Sequence, residues 1–71
     1  MQMLRPFQRV RLRVDLPELR LRRGTYGRVI DVFPEDPANV EVEFRLDDGS
    51  QHGAFVERIV PTQALDVLDE E

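Results

Sequence analysis

One short stretch constrains this chain more than any other. From Val40 to Leu46, Val40, Val42, Phe44 and Leu46 alternate with Glu41, Glu43 and Arg45. A period of two puts the apolar set on one face and the charged set on the other, which is a half-buried β-strand. Asp47-Asp48-Gly49-Ser50 follows, and Asp-Gly is a strong hairpin signal. A two-residue turn at Asp48-Gly49 sets Leu46 opposite Gln51, Phe44 opposite Gly53 and Val42 opposite Phe55. That register places Phe55 in the core and Ala54 and Val56 outside, the latter opposite Glu41. A slip by one residue would invert the assignment.

The rest of the chain repeats the strand pattern at short spacing. Phe7 to Val14 alternates Val10, Leu12 and Val14 with Arg9, Arg11 and Arg13. Pro17, which lacks a ladder N–H, closes that segment off. Leu16, Leu19 and Leu21 lie in a loop too short for a stable helix and are expected to tuck under it as a lid on the core. A second strand is expected over Tyr26 to Phe33. Val29, Ile30, Val32 and Phe33 do not alternate cleanly, so it should be bent or bulged. Strands over 51–58 and 65–68, with a single turn at Pro61 between them, complete the order. The expected fold is all-β, a small five-stranded SH3-like barrel of one domain over 1–71. Its ordered core is expected over about 7–68 and its acidic tail, 69–71, should fray. Expected core residues are Val10, Leu12, Val29, Val42, Phe44, Phe55 and Leu65.

Size and composition narrow the function classes. At 71 residues there is no room for both a scaffold and a deep substrate pocket. Cysteine is absent and His52 is the sole histidine, so thiolate catalysis and transition-metal ligation lack ligands. Thr25, Ser50 and Thr62 have no adjacent base to activate them. Asp47 and Asp48 are explained by the turn. Gly24-Thr25-Tyr26-Gly27 lacks the Lys-Ser/Thr of a phosphate loop and opens a strand, not a helix. Neither an enzyme nor a cofactor or metal protein is expected. No apolar run nears the ~20 residues of a membrane span, and Met1 to Phe7 has no signal-peptide character. A soluble cytoplasmic protein is expected.

Charge carries the sharpest hint. The net charge is −4, but residues 1–30 hold eight Arg against Asp15 and Glu18, and residues 31–71 hold Arg45 and Arg58 against twelve acids. Opposite charges on adjacent strands would neutralise each other if the halves interleave. Otherwise Arg9, Arg11 and Arg13, about 7 Å apart along one strand, form a basic row that Arg22 and Arg23 extend. Such a row suits an acidic protein surface, with Arg as a hot-spot residue. Single-stranded RNA is the alternative, with Arg20 also extending the row and Phe7 or Tyr26 as stacking partners. A sequence pI near 4.9 opposes it.

Asp15-Leu16-Pro17-Glu18, then Leu21-Arg22-Arg23-Gly24-Thr25-Tyr26-Gly27-Arg28-Val29, Val42-Glu43-Phe44, Asp48-Gly49 and Leu65 to Leu68 together resemble an uncharacterised bacterial family, domain of unknown function 4926. Arg20 stands where that family often has Gly, and Thr25 where it often has Asp. The layout also resembles a KOW-type element. The family resemblance implies a small accessory partner of a neighbouring gene product, sometimes the antitoxin or immunity half of a pair. The KOW-like resemblance implies RNA binding.

Overall fold

The computed structural model describes residues 4–46 and 53–68. Five strands form one antiparallel sheet: β1 (Arg9–Leu12), β2 (Tyr26–Val32), β3 (Asn39–Leu46), β4 (Ala54–Pro61) and β5 (Leu65–Val67). Their order across the sheet is β4-β3-β2-β1-β5. The sheet rolls up like a barrel, but β4 and β5 do not pair to close it. Among the described residues there is no α-helix, only single 3₁₀ turns at Pro17–Leu19 and Thr62–Ala64. Among the described residues no helix is long and apolar enough to cross a membrane.

The core lies on the concave face. Val10 and Leu12 of β1, Val29 of β2, and Val40, Val42 and Phe44 of β3 are buried, with Val60, Ala64 and Leu65 from the C-terminal part. Leu16 and Leu21 form an isolated backbone bridge and close one end of the core, with Leu19 packed partly against it. The expected lid is therefore present. Pro17 and the left-handed Arg20 (φ 59°) bracket the turn that folds it inward.

Strand β2 is bulged. Val29 pairs with Val42 but Asp31 with Glu41, so Ile30 is the extra residue. The bulge lets Val29 and Val32, of opposite parity, both lean toward the core. Gly27 is needed for close approach. A Cβ there would sit 2.6 Å from Val42 Cγ1, 2.9 Å from the Glu43 carbonyl oxygen and 2.9 Å from Phe44 Cδ1. The bare backbone of β2 thus makes room for the one aromatic ring in the core.

The hairpin register differs from the sequence expectation. Phe44 pairs with Val56, Arg45 with Phe55 and Leu46 with Ala54. The connection therefore spans 47–53, and the expected Asp48-Gly49 turn lies outside the described residues, as do His52 and the tail at 69–71. Relative to a two-residue turn the register moves by three, an odd number, so every β4 side chain changes face. Phe55 is 59% exposed and not core, and Val56 packs partly against the core. Strand β4 also runs three residues further than expected, to Pro61. Arg58 has inward parity yet is exposed, because β4 is an unclosed edge of the sheet.

Candidate functional site

The convex face of the sheet carries what the core excludes. On β1 the alternation that buries Val10 and Leu12 turns Arg9 and Arg11 outward. On β2 it turns out Tyr26 and Arg28, on β3 Glu41, Glu43 and Arg45, and on β4 Phe55, Glu57 and Ile59. Tyr26, Phe55 and Ile59 are each more than half exposed. The large apolar side chains that β4 turns outward are Phe55 and Ile59, not the Val56 that the expected register placed outside.

The charges stay segregated after folding. Arg9 stands directly opposite Arg28, and Glu43 directly opposite Glu57. Unlike charges stand opposite each other in the described ladders only where Arg28 meets Glu43 on β2–β3 and where Arg11 meets Asp66 on β1–β5. Even there, no ion pair forms among the described residues. The one described ion pair joins Arg13 Nε to Asp66 Oδ1 at 3.9 Å, and both side chains are half exposed. Such a contact contributes about 1 kcal/mol at most. Neutralisation by interleaving, the simpler expectation, is therefore confined to the seam and to Asp66 on β5.

At the β1 end of the face lies an open cleft of about 670 Å³, lined by Arg11, Arg13, Arg23, Tyr26 and Asp66. It is a surface hollow, not an enclosed substrate pocket. The Arg11 guanidinium lies 6.0 Å from the centroid of the Tyr26 ring, at the limit of a cation–π contact. Arg23 is placed by its backbone, whose N–H donates to Asp15 Oδ1 at 2.8 Å. Gly24, at φ +92°, makes the turn that swings Arg23 back toward β1, and its N–H donates to the Leu12 carbonyl.

Of the five arginines expected at a binding site, Arg11, Arg13 and Arg23 converge on this cleft. Arg9 lies on the same face one outward position further along β1. Arg22 is exposed but does not line the cleft. Its carbonyl instead accepts from the Thr25 N–H and hydroxyl, fixing the turn. Sequence reasoning missed Arg28, Arg45, Phe55 and the opposed glutamates. The alternation Tyr26-Gly27-Arg28-Val29 was enough to find Arg28. Phe55 required the true hairpin register.

Fold and face define a class: a small, open, all-β domain that displays guanidinium groups and aromatic rings on its convex side. The chain belongs to the family described as domain of unknown function (DUF4926), whose model matches residues 7–57, about 70% of its length. No curated protein and no solved structure matches it.

Proposed function

We propose that this chain is a non-catalytic protein-binding domain whose basic half docks an acidic surface on a protein partner, as an accessory or immunity-type companion of a separately encoded protein. The observation that carries this reading is the convergence of Arg11, Arg13 and Arg23 on one exposed cleft with a single carboxylate, Asp66, among them. Guanidinium groups with few internal partners lose little by docking and gain bidentate contacts to carboxylates. Arg11 lies over the Tyr26 ring at the limit of a cation–π contact, which favours that placement of its side chain.

Single-stranded RNA is the second reading, favoured by that same cation–π pair. Against it, a phosphate chain crossing the sheet would meet Glu43 and Glu57 within two strands of Arg28. Affinity purification with and without nuclease separates the two. The expected result is an acidic protein retained after nuclease and lost from an Arg11→Ala/Arg13→Ala/Arg23→Ala variant. If nuclease removes every association, or if single-stranded RNA binds the purified chain tightly at physiological salt, the protein-partner reading fails.

A further inference from the structure

Strand β4 is one edge of the sheet, and β3 is the strand it pairs with. A single bond fixes the phase of that ladder. The Thr62 N–H donates to the Ala38 carbonyl at 2.8 Å, one step beyond the Asn39–Pro61 pair. Opposed residues of an antiparallel ladder alternate between bonded and unbonded pairs. Val60, Arg58, Val56 and Ala54 therefore bond to β3, and the N–H and C=O of Ile59, Glu57 and Phe55 point away from it. Pro61, with no N–H to offer, falls in the outward set, where an edge strand tolerates proline. A side chain marks the same edge, since Arg58 Nη1 donates to the Glu57 carbonyl at 2.8 Å. Phe55, Glu57, Arg58 and Ile59 are all exposed, so nothing among the described residues covers this edge. The β3–β4 register runs without a break, so no bulge twists the edge away from a newcomer.

We infer that β4 accepts an extended segment of another protein as an added antiparallel strand, with a Lys or Arg opposite Glu57 and an Asp or Glu opposite Arg58. This surface is separate from the arginine cleft, which lies at the β1 and β5 end of the sheet. Backbone bonds to Phe55, Glu57 and Ile59 supply affinity in such a mode, and alternate side chains supply specificity. On the outer face Glu57 stands opposite Glu43, in an unbonded pair, the kind whose side chains lie closest. Glu43 has Arg28 on its other side, and Glu57 has no strand beyond it. A cation on an added strand completes the row and offsets the repulsion of the two acids. The exposed Phe55 and Ile59 flank Glu57 on the same face, which suits apolar residues two positions either side of that cation. On the other face an incoming carboxylate draws the Arg58 guanidinium off the Glu57 carbonyl and frees that acceptor for the ladder.

A second copy of the chain fits this edge poorly. A two-fold axis normal to the sheet keeps outward faces outward, so paired residues must share parity. Centred on Glu57 it sets that carboxylate against itself, and centred on Arg58 it sets the guanidinium against itself. Centred on Val56 it sets each Phe55 against a Glu57. None of these registers brings a cation to Glu57, so the occupant is a different sequence.

NMR titration of the isotopically labelled full chain with the peptide Thr-Val-Glu-Lys-Val-Val-Thr, blocked at both ends, tests this. Antiparallel to β4, its Glu stands opposite Arg58 and its Lys opposite Glu57. In the chain alone the amides of Phe55, Glu57 and Ile59 should exchange fast and those of Val56, Arg58 and Val60 slowly. The peptide should bind with a dissociation constant of about 1 mM or tighter and slow exchange at the first three. Methylating the peptide nitrogen of its Lys, which faces β4, should abolish binding, whereas methylating that of its Glu, which faces away, should not. Exchanging the peptide's Lys for Glu should weaken binding about fivefold or more, and Glu57→Arg in the chain should restore it. No binding at about 2 mM peptide overturns the inference, as does equal sensitivity to the two methylations. So does a peptide that shifts Arg11, Arg13 and Arg23 instead of β4. Protection of the β4 edge amides without peptide also overturns it, and if that protection grows with chain concentration the occupant is a second copy. Each of these results leaves the docking of an acidic partner at the arginine cleft standing.

Discussion

Two phenylalanines show how much a single residue's side of the sheet decides. Phe44 is fully buried beneath Gly27, and Phe55, one strand away, is 59% exposed. Phe44→Ala removes a ring from a close-packed core and should cost about 3–5 kcal/mol. In a domain this small that amounts to much of the total stability. Phe55→Ala should change stability by less than about 0.5 kcal/mol, as exposed sites do. Urea denaturation of the two variants, with the parent held at low concentration, measures the contrast directly. Arg20 makes a third case. It caps the 3₁₀ turn in the left-handed region, φ 59° and ψ 37°, where a Cβ costs roughly 1 kcal/mol. The greater freedom of glycine when unfolded offsets part of this. Arg20→Gly is therefore expected to be neutral or stabilising by up to about 1 kcal/mol, against the usual penalty for glycine. A loss of stability in the melt would show that the Arg20 side chain holds the loop by contacts other than its backbone shape.

At the scale of strands, the closest approach in the sheet is between β2 and β3 at Gly27. Gly27→Ala would force a methyl against Val42 Cγ1 and against the Glu43 carbonyl oxygen, which is backbone and cannot rotate away. The expected cost is about 1–3 kcal/mol, as for overpacking, with amide exchange accelerated across the β2–β3 ladder. An unchanged melt would mean that the strands separate more easily than their pairing implies. Element order was legible in the sequence because each strand carries its own alternation and each break its own Pro, Gly or Asp. The β2 bulge was legible too, since Val29 and Val32 could not both face inward without one. Register between β3 and β4 was not. A hairpin of seven loop residues and one of two look alike where Asp-Gly sits inside the longer one, and the odd difference inverts a whole strand. The basic half of the site could therefore be read from Arg9, Arg11 and Arg13 alone. The acidic and aromatic half could not, because it needs Phe55, Glu57 and Ile59 on the correct side.

For the whole molecule, the placement of charge sets stability against recognition. Glu57 opposes Glu43, and Arg9 opposes Arg28, so each pair weakens the sheet that holds it. Removing one opposition should therefore strengthen the fold. Glu57→Arg sets an unlike charge directly opposite Glu43. It should stabilise the monomer by about 0.2–1 kcal/mol, the range of such cross-strand pairs. For a chain of this length that is a rise of up to about 8 °C in melting temperature. The measurement belongs at low salt, where the charges are least screened. The gain should shrink as salt is raised, because the outer face is open to solvent. A melting temperature that is unchanged or lower at low salt would mean that Glu43 and Glu57 do not repel across the strands.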